Sequence, residues 1–190
     1  MTVEEIFKEL SSHMIKGIMT HEELANYYDF LGLKGYKRCH EYHVMSEMCG
    51  YRKLCRYYIN HYSRLIPDVK IEQPSVIPET WYSHIREDVD VSTKKSAVKN
   101  GLTMWSDWEE ETKDLYQKMY KELLDLGEVA SANFVMCFVE AVDCELKHVD
   151  RYMLNKTATG FDMVDIIEEQ YKKHKKYKNK MEKELKVHIC

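Results

Sequence analysis

Glu145 and His148 stand three residues apart in "CELKH", and on a helix that spacing points both side chains the same way. A carboxylate and an imidazole so placed can share one metal ion. His43 and Glu47 sit four apart in "HEYHVMSEMCG" and repeat the pairing elsewhere in the chain. His21 and Glu111 are the remaining candidates. Carboxylates bridge metal ions and offset their charge, while imidazoles supply terminal nitrogen ligands suited to iron, manganese or zinc. An unpaired carboxylate buried in a core costs several kcal/mol. Three Glu and three His at one level of a core therefore imply metal.

The elements that must position these residues are helices. Prolines 67, 74 and 78 fall between Ile66 and Glu79, Gly32 and Gly35 bracket "GLKG", and Gly127 sits in "DLGEV". These breakers separate four long segments of helical period: about Val3–Leu31, Tyr36–Ile66, Ser92–Leu126 and Val129–Leu154. The second carries Tyr36, His40, His43, Glu47, Tyr51, Leu54, Tyr58 and Leu65 on one stripe. The third carries Trp105, Trp108, Thr112, Leu115, Met119, Leu123 and Leu126. The loops "GLKG" and "LGE" are short enough for antiparallel hairpins, and the stretch from about 66 to 90 is long enough to cross the full length of a bundle. "PETWYSHIRED" within it reads as a short helix. "KTATGFDMVD" reads as a loop after Asn155, followed by a fifth helix, exposed or docked on the bundle end. The division is residues 1–155 as the bundle and 156–190 as a loop and helical extension.

Turn positions then set levels. A first turn near residue 32 or 33 brings His43 level with His21, and Glu47 level with Gly17, which leaves room for it. A second turn near 128 brings Glu145 level with Glu111. On the helical wheel Glu111 lies at the edge of its apolar stripe, with Thr112 nearer the centre. His40 and His61 read as core hydrogen-bonding or rim residues.

From about residue 3 to 154 the chain resembles the ferritin-like superfamily. "GYKRCHEYHVMSEMCGYRKLCRYY" is similar to the start of a ferritin second helix, with Glu47 in the place of the E-x-x-H glutamate, and the Glu111-to-Glu145 separation resembles that between the third- and fourth-helix glutamates. The resemblance implies an all-α four-helix bundle, two antiparallel hairpins joined by a long crossover, plus the C-terminal helix. It implies a di-iron carboxylate site built on Glu47, Glu111, Glu145 and His148, which the hairpin levels complete with His21 and His43, used for iron oxidation and sequestration or for consuming peroxide, in a homo-oligomer. Two departures stand out. Gly50 replaces the histidine expected three after Glu47, and the first helix brings His21 rather than a glutamate, since Glu22 and Glu23 face outward. A bundle with a degenerate site, serving as a structural or interaction module, remains open. So does a DNA-associated mini-ferritin of the Dps kind, because "HMIKGIMTHEEL" is similar to that signature and would engage His13 and His21 with another subunit.

Composition fits this class. Charged residues at 32% and hydrophobic residues at 44% suit a soluble globular domain, and no apolar run approaches bilayer length. A net charge of −4 argues against general nucleic-acid binding, though the run "KKHKKYKNK" could touch phosphate. Six cysteines without a C-x-x-C pair read as reduced thiols of a cytoplasmic protein.

Overall fold

Helix α1 spans Val3–Phe30 and starts at a capping box. The Glu5 amide donates to Thr2 Oγ1 at 3.2 Å, and the Thr2 amide donates to the Glu5 carboxylate at 2.7 Å. The helix stops before Gly32, whose φ of 72° is the left-handed conformation that glycine adopts without a Cβ penalty. Helix α2 spans Lys34–Tyr62 and closes the first hairpin. After the crossover, α3 spans Val91–Asp125, with the Thr93 amide donating to the Asp90 carboxylate at 2.6 Å as its cap. Gly127, at φ 76°, turns the chain into α4, Val129–Ala158. A fifth helix, α5, spans Met163–His188. This computed structural model describes residues 1–67, 69, 71, 77, 85, 86 and 89–188, with side chains to 183. Among the described residues there is no strand, and no helix is long and apolar enough to cross a membrane.

Helices α1–α2 and α3–α4 pack as antiparallel hairpins, and α1 also packs on α3. The long connection between the hairpins makes the expected crossover. The short helix expected within "PETWYSHIRED" lies mostly outside the described residues. The second segment ends earlier than its periodicity suggests. Ser63 adopts φ 55° and stops α2, so Leu65 lies outside the helix and is 77% exposed rather than in the core. The fourth segment runs one turn further, to Ala158.

Two apolar clusters fill the bundle. One contains Ile6, Phe7, Leu10, Met14, Leu54, Tyr58, Met119, Leu123, Ala132 and Val135. The other contains Leu24, Tyr28, Leu31, Tyr36, Leu102, Trp105, Val149 and Ile166. Each fully buried aliphatic side chain contributes roughly 1.5–3 kcal/mol. Between the clusters lies a layer of polar side chains, and the candidate ligands fall in it.

The fifth helix docks along α2 rather than on the bundle end. Tyr36 donates to Glu169 at 3.2 Å, Tyr42 packs on Tyr177, and Lys180 Nζ lies 4.6 Å above the Tyr42 ring, so α5 runs parallel to α2. A Cβ at Gly35 would collide with the Gln170 carbonyl, and glycine is what allows the helices this close. Lys156 and Lys173 are both buried and both pair with Glu169. Lys173 Nζ also lies 3.2 Å from the centroid of the Tyr152 ring. The basic run is therefore not one solvated face, because Lys173 points inward.

Candidate metal centre

Each helix of the bundle sends a ligand-type side chain into the polar layer. His21 of α1 is fully buried because it follows Gly17 and precedes Leu24 on the core face. His40, His43 and Glu47 come from α2 and Glu109 from α3, while α4 contributes Glu145 and, at the rim with its side chain 44% exposed, His148. His21 Nε2 lies 3.7 Å from Glu109 Oε1. One ligand atom each of His21, His43 and Glu109 fall within 4.8 Å of one another, a distance a single ion can span. His43 Nε2 lies 3.7 Å from Glu145 Oε2, and His148 Nδ1 lies 3.7 Å from the same oxygen. Glu47 lines one cleft with His43, Glu109 and Glu145.

Neighbouring groups hold this set in place. Trp105 Nε1 donates to Glu109 Oε1 at 2.9 Å. His21 and His40 share a hydrogen bond between their Nδ1 atoms at 3.1 Å. The Trp105 ring stands edge-on to His43 at 4.9 Å and to His40 at 5.1 Å. Opposite Glu47, a Cβ on Gly17 would sit 3.5 Å from the Glu47 carboxyl carbon, so glycine makes room as its level suggested.

The electrostatics suit a cation. Burial lowers His21 to about 3 and drives His40 and His43 well below the ordinary imidazole value. Burial, with help from the Glu47 and Glu145 charges, raises Glu109 to about 8 against the pull of the Trp105 hydrogen bond. Burial and the Glu145 charge raise Glu47 to about 7. Glu145 is raised too, by burial, with His148 and Lys180 pulling the other way. Near neutral pH the imidazoles are thus uncharged with a lone pair free, and the deep carboxyls hold protons that a cation would replace. Buried His21 Nε2 and His43 Nε2 have no hydrogen-bond partner among the described residues. Such orphaned atoms are rare in folded proteins, and a metal ion would satisfy both.

Of the six residues expected from sequence, His21, His43, Glu145 and His148 draw together, with Glu47 beside them. Glu111 does not. Its side chain is 56% exposed and pairs with Lys16 at 3.0 Å. The level was right, since Lys113 and Asp143 pair at 2.6 Å and confirm a turn centred at 128. The rotation was wrong: Thr112 faces the core, and Glu111 is turned about 100° away from it. The carboxylate that α3 sends inward is Glu109, on the stripe Trp105, Glu109, Thr112, Tyr116, Met119 and Leu123. Tyr116, four residues after Thr112, marks that stripe in the sequence, and Leu115 lies beside it. His40 is a core residue rather than a rim one. His13 turns to α3, where it bonds Thr112 Oγ1 at 2.8 Å and stacks on Trp108 at 4.4 Å.

No protein-family model matches the chain, and no curated protein matches it. Solved structures do. A humanized archaeal ferritin superposes with a TM-score of 0.72 at 14% identity, over 90% of this chain and 94% of its own. A closed form of the Archaeoglobus fulgidus ferritin, engineered by site-directed mutagenesis, superposes with a TM-score of 0.74 at 14% identity, over 92% and 96%. The two hairpins, the long crossover and these superpositions together show that the chain has the ferritin-like fold, an all-α four-helix bundle with a C-terminal helix laid along its second helix.

Proposed function

We propose that this protein binds metal ions in the polar layer of its bundle, with iron as the ion and oxidation of ferrous iron, its sequestration or peroxide consumption as the use. His21, His43 and Glu109 would hold one ion, and Glu47, Glu145 and His148 would hold a second beside it. Bound iron would supply the redox step. The chain's own residues exclude water, keep the imidazoles neutral and give up carboxyl protons as the cation enters. The similarity of fold to archaeal ferritins supports iron over manganese or zinc, which the same donors also suit. A homo-oligomer belongs to the same reading.

One observation carries it. Two buried imidazole nitrogens without hydrogen-bond partners face a buried carboxylate inside a space of ligand dimensions. Anaerobic loading with ferrous iron, followed by metal analysis, tests it. Stoichiometric iron in the wild type, lost in Glu109→Gln, is expected. Only traces of iron in the wild type would leave the other reading, a bundle retained for structure or interaction. The outward Glu111 and the glycine at position 50 favour that reading. In that case Glu109→Gln should gain stability over the wild type as pH rises through 8, where the buried carboxyl ionises without a cation beside it.

A further inference from the structure

The centre needs far less space than the protein provides beside it. The cleft between α2 and α4 holds about 740 Å³. Metal ions and a few waters, at roughly 30 Å³ per water, would occupy a small part of that volume. The cleft instead matches the range of small-molecule sites, roughly 300–1,000 Å³.

Its chemistry is graded from floor to mouth. The floor is His43, Glu47, Glu109 and Glu145. The walls are apolar: Met14 of α1, Tyr116 of α3, and Phe134, Phe138 and Val142 of α4. The mouth carries Lys53 of α2 and Lys180 and Lys183 of α5. None of the three lysines forms an ion pair among the described residues, although Lys180 pulls the Glu145 carboxyl down. Glycine at position 50 keeps the space open. A Cβ there would meet only Phe138 at 3.7 Å and Met14 at 3.9 Å, both ordinary contacts, so a larger side chain would project into the cleft.

We propose that this cleft binds an organic monocarboxylate with an apolar alkyl or aryl body. The carboxylate sits at the lysine mouth, and the body lies between Phe134 and Phe138 on one side and Met14 on the other. Orientation follows from charge. The lysines attract an anionic end to the mouth, and the floor, whose deep carboxyls hold protons near neutral pH, offers it no cation. The apolar end therefore points at His43 and Glu109. His43 lines this space, and its buried Nε2 has no hydrogen-bond partner among the described residues. The departure at Gly50, a lost ligand when judged as a metal site, becomes the feature that makes room for a second molecule.

Decanoate, titrated into the metal-free full chain by calorimetry, is the test. Metal is left out so that this result stands apart from iron binding. Saturable binding is expected, about tenfold or more weaker in Gly50→Phe and in the Lys53→Ala, Lys183→Ala double variant, with decanol binding about tenfold weaker than decanoate. Ala141→Phe narrows the cleft from an exposed position on the facing helix, and it serves if Gly50→Phe fails to fold. No saturable binding, decanoate binding unchanged by whichever filling variant folds, or decanol binding as well as decanoate would each overturn the proposal.

Discussion

His21 and His40 meet nitrogen to nitrogen, their Nδ1 atoms 3.1 Å apart inside the bundle. Both rings are neutral at pH 7, so the contact holds a single proton and the two imidazoles are opposite tautomers. When His21 carries that proton, its Nε2 offers a lone pair toward His43 and Glu109, the form a ligand needs. His40 is then a positioning residue, fixing the tautomer of His21 through the acceptor it presents. His40→Phe removes that acceptor and should weaken metal binding by about 10–100-fold. His40→Gln retains an acceptor and should recover part of the loss. Competition against a chelating dye measures both, and equal affinity in His40→Phe and the wild type would show that another group sets the tautomer.

The metal-free protein should lose stability between pH 6.5 and 8. Glu109 holds its proton to about 8 when folded but titrates near 4.3 when unfolded, so across that interval the folded state binds more protons and stability falls as pH rises. Glu47, raised to about 7, acts the same way over the lower part. The buried histidines work in the opposite sense. Their folded values are depressed, so their contribution is lost as pH falls from about 7.5 through 6.5 and is constant only above that range. Between 6.5 and 8 Glu109 alone accounts for a drop of the order of 2 kcal/mol and Glu47 adds to it, while the four depressed histidines give back a few tenths of a kcal/mol each, leaving a net fall of about 1 kcal/mol. Denaturant titrations at the two pH values read it. Bound metal should remove the drop, because a ligated carboxylate has no proton to lose. A flat metal-free profile would mean that Glu109 is ionised throughout.

Gly17 is set against Trp108 and Glu47, and its substitutions should separate crowding from helix propensity. A Cβ there would lie 3.0 Å from Trp108 Cζ2 and 3.5 Å from the Glu47 carboxyl carbon. Alanine gains up to about 1 kcal/mol of helix propensity but forces Trp108 to shift, so Gly17→Ala should stay within about 1 kcal/mol of the wild type. Gly17→Leu overfills the same space and should cost about 1–3 kcal/mol while displacing Glu47. Urea unfolding reads the stability of both. A Gly17→Leu protein as stable as the wild type would show that the α1–α2 contact is loose at this level.

Helix positions and hairpin levels were legible because breakers and apolar period are local signals. The Lys113–Asp143 pair and the approach of Glu47 to Gly17 both agree with levels counted from the turns. Rotation about each helix was less legible, because one residue's difference in choosing the stripe turns a side chain by about 100°. That is how Glu111 displaced Glu109. His40 was read as a possible rim residue because its burial depends on α1, which supplies the hydrogen bond from His21. The docking of α5 was also hidden, since beside the buried Ile166 and Tyr177 its contacts rest on Gly35, Lys173 and Glu169, none of which signals a buried face. The cleft was invisible for a related reason: it is defined by what α2 and α4 leave unfilled.

The exchange of Glu111 for Glu109 gives the sharpest pair of variants. Glu111 is exposed and its partner Lys16 is partly so, and pairs of this kind contribute about 0–1 kcal/mol. Glu111→Ala should therefore change stability by less than about 1 kcal/mol and leave metal binding unaltered. Glu109→Gln keeps an oxygen for the Trp105 indole to donate to, but it removes the only α3 carboxylate in the compact ligand group. Its metal affinity should fall by about 100-fold, and its metal-free stability should no longer decline as steeply between pH 6.5 and 8. Metal titrations of the two variants side by side decide the matter. If Glu111→Ala loses metal while Glu109→Gln keeps it, then α3 rotates on binding and the ligand is the one its hairpin level first suggested.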